Sequence, residues 1–243
     1  MQEIVYHTNY QLETSYWWFV ARNKIIYSLL KKYCPINNNA NLLDVGCGTG
    51  GFASFISNYI DVICLDTSEL ALSYCKKRGL SNLFFGTIAD FNKKNIKMQF
   101  ITMLDVVEHI ANDREVLRQA FEALQNNGYL IATVPAYNWL WSRHDEIHMH
   151  QRRYNKKQFV ELITTSGFEI VFSSYFNSFL FPLVAIKRLI ERFLKNKKDS
   201  SSPVEKVSPL SNKILEKIFA FERIILKFIK FPFGLSIIVI AKK

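Results

Sequence analysis

The densest run of reactive side chains lies between residues 137 and 154, YNWLWSRHDEIHMHQRRY, which holds three of the chain's five histidines. A histidine beside a carboxylate, as His144 is beside Asp145, can take a proton from a hydroxyl near neutral pH. Arg152 and Arg153 offer planar donor forks that suit a phosphate or carboxylate. Tyr137, Trp139 and Trp141 would wall off water. Trp141, Asp145, His150, Arg152, Arg153 and Tyr154 are therefore the expected substrate-binding set. A competing reading packs the tryptophans under the loop and pairs the arginines with Asp145, Glu146 or helix ends. His144, Asp145 and His148 also mimic the H-E-x-x-H of zinc peptidases with Asp for Glu. No third ligand or clear helix supports that, and no metal is assigned.

A second chemical signal is LLDVGCGTGG, residues 42–51. Gly46, Gly48 and Gly51 fit a G-x-G-x-x-G dinucleotide turn, whereas Asp44, Gly46, Gly48 and Gly50 fit an acidic-x-G-x-G-x-G loop. Glycines let the chain turn tightly after a strand and approach a ligand closely, and the next helix aims its N–H groups at the same place. Asp44 separates the alternatives. A carboxylate just before the turn is poorly placed for a pyrophosphate and well placed for a ligand bearing an ammonium and a sulfonium. Asp66, at the end of the next strand, is placed to hold ribose hydroxyls, or else is a turn residue before a helix.

These residues need a scaffold. NLLDV (41–45), DVICLD (61–66), NLFFG (82–86), QFITMLD (99–105) and GYLIATV (128–134) are short apolar runs bounded by polar or Gly signals. Between them, helices are predicted from Ser68 to Gly79 and over NDREVLRQAFEALQNNG, where Val116, Leu117, Ala120, Phe121 and Leu124 share a face. Repeated βα units imply a doubly wound, mostly parallel α/β sheet with buried strands. A helix over 155–167, a strand over 168–176 and a last strand over 235–243 close it as an antiparallel hairpin, giving seven strands. The expected organisation is an N-terminal helical lid (1–39), a core (40–176), a helical insertion (177–233) and the last strand (234–243).

At 243 residues and 49% hydrophobic, the chain is long enough for one α/β domain with a full core. Cys34, Cys47, Cys64 and Cys75 lack C-x-x-C spacing, and the polar start does not read as a secretory signal, so a cytoplasmic location is expected. The net charge of +10 is localised. Residues 187–243 hold 14 Lys or Arg against 5 Asp or Glu, and residues 1–186 hold 17 against 16. A nucleic-acid enzyme would spread basic charge around its cleft, so no nucleic-acid partner is expected. FNSFLFPLVAI is too short to span a bilayer. LSNKILEKIFAFERIILKFIKF is amphipathic, with Ile214, Ile218, Phe221, Ile225 and Phe228 on one face and lysines opposite. It reads as a helix lying on an anionic membrane surface, on the inner face of the cell membrane, or alternatively as a lid or dimer surface. KNKKDSSSPVEKVSP reads as a polar linker.

LLDVGCGTG, VICLDTSELAL and FITMLDVVEHI…REVLRQAFEALQNNGYLIATVP together resemble the ordered motifs of class I S-adenosylmethionine-dependent methyltransferases. They are most similar to the group containing the ubiquinone-biosynthesis O-methyltransferases, over residues 40–175. The resemblance implies S-adenosyl-L-methionine as cofactor, held by Asp44, Gly46, Cys47, Gly48, Gly50, Asp66 and Thr67. The family often has an acidic residue after the Gly that closes strand three. Here it is Thr87, so Ala89 and Asp90 are the substitutes, Asp90 toward the adenine amine. Leu104 at the end of strand four and Arg22 of the SYWWFVARNK helix are further cofactor contacts, with Tyr16 and Trp17 beside Arg22. Asp105, Glu108 and His109 follow strand four, where α/β sheets place ligands; they shape the site or hold a divalent ion, or else Glu108 and His109 pair within the next helix. The D/N-P-P-Y/F shared by enzymes that methylate base nitrogens is missing there. The expected activity is methyl transfer to oxygen of a small-molecule, sugar or lipid-linked acceptor, with His144 as general base, His109 second and Asp105 assisting. The rivals are a non-catalytic cofactor-binding or membrane-scaffolding protein and an NAD-dependent oxidoreductase.

Overall fold

The computed structural model describes residues 3–37, 39–193 and 207–243. Seven strands form one sheet: β1 (Asn41–Val45), β2 (Asp61–Asp66), β3 (Leu83–Phe85), β4 (Met98–Leu104), β5 (Leu124–Pro135), β6 (Glu169–Phe176) and β7 (Ser236–Lys242). Their order is β3-β2-β1-β4-β5-β7-β6; β7 runs antiparallel to both neighbours and the other pairs are parallel. The expected doubly wound sheet with an antiparallel hairpin is present. Because side chains alternate across a strand, each strand feeds two cores. Leu42, Phe100 and Ile238 point to one layer, Leu43, Ile101 and Val239 to the other.

The first layer is covered by α2 (Trp17–Tyr33), α3 (Gly51–Ile56), α4 (Glu69–Lys77) and α10 (Pro209–Ile225), the second by α5 (Ile88–Asn92), α6 (Asp113–Ala123) and α8 (Lys156–Thr165). Ser68 accepts from Ala71 N and Asn112 from Glu115 N, so the helix starts that the sequence marks are real caps. The α6 stop differs from the Asn-Asn-Gly reading. The helix ends at Ala123, Leu124 already pairs with Met98, and regular pairing resumes at Tyr129 with Phe100. Residues 125–128 thus form an irregularity inside β5 rather than a helix cap.

α1 (Glu3–Leu12) falls within the N-terminal stretch expected to be helical, whereas α5 and α7 (Arg143–Ile147) escaped the sequence pattern. The insertion carries α9 (Phe181–Phe193) and α10; most of the predicted polar linker lies outside the described residues. The packed stripe of α10 is Leu215, Phe219, Glu222 and Leu226, against α2 and β6 rather than the Ile214–Ile218–Phe221 face. Its steps of four, three and four residues keep it on one side of the helix. Phe219 meets Trp17 and Phe176 at ring distances of 6.0 and 5.9 Å. Asn212 Oδ1 accepts from Trp17 N, Lys24 pairs with Glu216, and Glu222 accepts the N–H groups of Asn177, Ser178 and Phe179. No helix among the described residues is long and apolar enough to cross a membrane.

Candidate active site

The glycine loop leaves the C-terminal end of β1. Gly46 N and Cys47 N donate to Leu65 O at 2.8 and 3.1 Å, which fastens the loop to the end of β2. Gly46, Gly48 and Gly50 have φ of +66, +57 and +80°, a region where side chains are strained. Their surroundings differ. A Cβ on Gly46 would lie 2.7 Å from Val106 Cγ2, and one on Gly50 would lie 2.9 Å from Cys75 Sγ, whereas a Cβ on Gly48 would meet nothing within 4 Å. Gly48 therefore faces open space, whereas side chains at Gly46 and Gly50 would run into packed neighbours.

Asp66 lies beside this opening. Its Oδ2 accepts Gly48 N at 3.0 Å and its Oδ1 accepts Ser68 N at 2.9 Å. An ionised carboxylate has about four lone-pair positions, so capacity for two hydroxyls remains. Burial raises its pKa against the opposing pull of those N–H groups. Thr67 is exposed at the same strand end, while Cys47 is buried under the loop against Cys75, with sulfurs 3.8 Å apart. Asp44 is buried one level down and accepts from Thr102 Oγ1 at 2.6 Å; burial pushes its pKa up to about 7.

Arg22 of α2 reaches the same corner. It donates to Asp105 Oδ2 at 2.5 Å and stacks 4.6 Å from the Trp18 ring centroid, and its buried Nε has no acceptor. Asp44 and Glu13 both feel its charge. An unused guanidinium donor beside a glycine loop fits a ligand carboxylate. Glu13, just past α1, bonds Thr49 Oγ1 and Arg78 Nη2 at the mouth of the loop. Neither Glu13 nor Arg78 was legible as a site residue. Their signal is tertiary, because α1 lies across α4 with Arg78 over the Tyr10 ring.

Asp90 is committed elsewhere. Its Oδ2 accepts from Thr87 N and Oγ1, and its Oδ1 accepts from Lys93 Nζ at 2.7 Å, a capping box for α5. The T-x-x-D spacing is thus used as a helix start. Ala89 is half-buried in the same turn, and Leu104 packs at the end of β4 against the first core layer.

The loop after β5 closes over the end of β4. Gln151 N donates to Glu108 O, and Gln151 Nε2 donates to His109 O at 2.7 Å, which ties the loop to the 3-10 turn Val107–His109. Asp145 organises it. It is fully buried and accepts from Ser142 N, Ser142 Oγ, Arg153 Nε and Nη2, and His150 Nδ1 at 2.8 Å. Burial works to raise its pKa, but the bonds from His150 and Arg153 prevail and hold it below the usual carboxylate range. Asp145 therefore supports His150, five residues further on. Consecutive residues of a helix do not face each other, and α7 turns Asp145 inward and His144 outward.

The arginines are likewise structural. Arg153 also donates to Ala136 O, and Arg152 donates to Asp113 Oδ2 and Ala111 O. Tyr154 is buried and donates its hydroxyl to Asp113 at 2.8 Å. Both guanidinium groups thus make the pairings that the competing reading of the loop describes. Trp141 is half-buried at the start of α7.

Four imidazoles gather here. His144 lies 4.1 Å from His148, and His109 lies 4.7 Å from His150, ring to ring; His144 and His150 are 6.1 Å apart. Burial, with His150 next to it, lowers the pKa of His109 to about 4. Beneath them Glu108 is fully buried, and neither carboxylate oxygen has a partner. Burial, with Asp105 nearby, pushes its pKa well up. Asp105 sits at φ +58° at the end of β4, bonded to Arg22 and Thr133.

A glycine loop joined to an acidic β2 end, on a sheet of this order, defines a methyltransferase domain, and residues 19–172 match the model of that family. The chain belongs to the methyltransferase domain family, and its cofactor is S-adenosylmethionine. It is similar to a probable S-adenosylmethionine-dependent methyltransferase of Mycolicibacterium smegmatis, 25% identical over 65% of this chain and 61% of that protein. It is also similar to the ubiquinone biosynthesis O-methyltransferase of Rickettsia canadensis, 23% identical over 60% of this chain and 69% of that one. The chain thus spans about three-fifths of the length of its mycobacterial relative. Among solved structures, the fold is shared with a SAM-dependent methyltransferase from Archaeoglobus fulgidus (TM-score 0.58, 19% identity, 91% and 94% coverage). It is shared also with the plantazolicin methyltransferase BpumL (TM-score 0.62, 15% identity, 98% and 88% coverage).

Proposed function

We propose that the protein transfers a methyl group to an oxygen of a small-molecule, sugar or lipid-linked acceptor, working at an anionic membrane surface. Bound S-adenosylmethionine supplies an electrophilic methyl on a sulfonium. The residues suited to hold it are the Gly46–Gly50 loop, Asp66 at the ribose end and Arg22 at the carboxylate end. The chain's part in the reaction is mostly placement, since in-line displacement rewards a close and aligned acceptor. The observation that carries an oxygen acceptor is the imidazole cluster over the end of β4. His144, at its exposed rim, is the proposed acceptor of the hydroxyl proton. Asp145, Arg153 and Tyr154 hold the loop in place.

The workplace is inferred from the insertion. Leu183 of α9 is 67% exposed, and Leu210 and Phe221 of α10 are 70% and 52% exposed; Phe228, just beyond, is 82% exposed. Phe179, just ahead of α9, and Phe221 of α10 have rings 6.4 Å apart. Lys213, Lys217 and Arg223 of α10 are also exposed. Such a surface suits insertion at a lipid interface, each buried large side chain being worth about 1.5–3 kcal/mol and each basic group about 1 kcal/mol.

The test has two parts. Labelled methyl transfer is screened against hydroxylated acceptors and their amine counterparts, with and without a polyprenyl or acyl chain. Sedimentation with vesicles containing anionic lipid compares the full chain with its Leu183→Glu/Phe221→Glu variant. Loss of sedimentation in the variant is expected. Equal sedimentation of both, or methyl transfer confined to nitrogen acceptors, would overturn the corresponding half of the proposal.

A further inference from the structure

We propose that Cys47, Cys64 and Cys75 form a buried three-sulfur site for one copper(I) ion beneath the glycine loop. Their Sγ atoms lie within 4.8 Å of one another, and those of Cys47 and Cys75 are 3.8 Å apart. At metal–sulfur bonds of about 2.3 Å, three sulfurs around one ion in a plane stand about 4 Å apart, so closing the site needs shifts of under about 1 Å. The three residues come from different elements: Cys47 from the loop between Gly46 and Gly48, Cys64 from β2 and Cys75 from α4. An ion there fastens the glycine loop to the strand and the helix that flank it.

Three observations separate this group from ordinary buried cysteines. Cys64 and Cys75 are 0% exposed and Cys47 8%, within the apolar layer that holds Phe52, Ala53 and Leu72. Such a dry setting excludes the water that hard cations keep around them. Second, positive charge is fixed beside the sulfurs. The Cys47 and Cys64 thiols hydrogen-bond the Cys75 sulfur, and together with the Arg78 guanidinium they hold its pKa below the ordinary thiol range against the effect of burial. Arg78 is anchored there by donating to Thr49 O and Tyr10 O, each at 2.7 Å. The thiolate is the form that binds metals. Third, Cys34 supplies the contrast. It is buried in the same layer but outside the group, and burial alone pushes its pKa up to about 12.

The donor set selects the ion. Thiolates are soft ligands that suit copper(I) and zinc, whereas magnesium, calcium and manganese take oxygen. Structural zinc sites are almost always four-coordinate, and among the described residues no fourth His, Cys, Asp or Glu ligand atom joins the three sulfurs. Ligation replaces S–H bonds with metal–sulfur bonds and releases the protons, and the copper stays cuprous throughout. The three cysteines are 17 and 11 residues apart, without C-x-x-C spacing. Only the parallel pairing of β1 with β2 and the packing of α4 against β2 gather them.

The experiment uses tag-free full-length protein kept reduced without oxygen, with copper(I) supplied from a coloured chelator and Cd2+ as an optical probe. One equivalent of copper(I) is expected to leave the chelator, and Cd2+ should give a thiolate-to-metal absorption band. X-ray absorption of the copper-loaded protein should count three sulfur neighbours, a measurement that needs no variant. Cys64→Ala and Cys75→Ala should each weaken copper(I) binding at least about tenfold, whereas Cys34→Ala should leave it unchanged. Absence of saturable copper(I) uptake, nitrogen or oxygen neighbours in place of sulfur, or unchanged binding in both Cys64→Ala and Cys75→Ala would overturn the site. Loss of binding in Cys34→Ala would do the same. S-adenosylhomocysteine binding, measured in parallel on metal-free protein, separates failure of this site from failure of the methyltransferase reading.

Discussion

Asp145→Asn tests whether one carboxylate holds the loop over the active site. The Asp145 side chain is 0% exposed and that of Arg153 11%, and the two meet through two guanidinium nitrogens at 2.7 and 3.0 Å. Asparagine keeps the shape but removes the charge, leaving a buried guanidinium without its counter-ion. Breaking a buried pair in this way costs about 3–5 kcal/mol. For a chain of this size about 2–4 °C of Tm accompanies each kcal/mol, so a fall of roughly 6–20 °C is expected. The assay is urea and thermal unfolding of wild type, Asp145→Asn, Arg153→Gln and the double variant. If the cost is an orphaned charge, the double variant should recover at least ~1 kcal/mol relative to the sum of the single changes. The pH dependence carries the same sign. The carboxyl is held below its unfolded pKa of about 3.9, so its contribution is complete above that pH and is lost as pH falls through the folded value. A loss under about 1 kcal/mol, or strict additivity in the cycle, would refute this account of the loop.

Gly48→Ala and Gly79→Ala both place a Cβ at positive φ in open space, so each should cost about 1–2 kcal/mol of stability. Only Gly48→Ala should also lower S-adenosylhomocysteine affinity, by at least tenfold in calorimetry; equal affinities would mean that Gly48 does not face the ligand. Asp44, raised to about 7 when folded, favours the folded state fully below about pH 4, and that contribution is lost as pH rises to about 7. Ligand-free protein should therefore lose stability over that interval, by at most about 4 kcal/mol, and Asp44→Asn should flatten the curve.

The sheet was readable because its strands are buried on both faces and appear as continuous apolar runs between Gly and polar signals. Asp44 and the glycines were readable because a βα turn is local, its residues being neighbours in sequence, and Asp66 because it closes the next strand. The loop after β5 shows the opposite case. Its residue types were found, but their partners were not, because Asp145 reaches past His144 to His150 and Arg153, and Arg152 reaches Asp113. Asp90 has a local role that the family pattern did not suggest, since it completes the T-x-x-D cap of α5. In α10 the apolar positions cover two faces. Periodicity found the helix but could not say that Phe219 and Leu226 would be buried while Ile218 and Phe221 stayed exposed.

The most direct test of the central claim is calorimetric titration of the full chain with S-adenosylhomocysteine and, separately, with NADH. One equivalent of S-adenosylhomocysteine should bind, with Asp66→Ala losing it and NADH giving no saturable heat. Saturable NADH binding that Asp66→Ala abolishes, with none for S-adenosylhomocysteine, would contradict the assignment of the glycine loop.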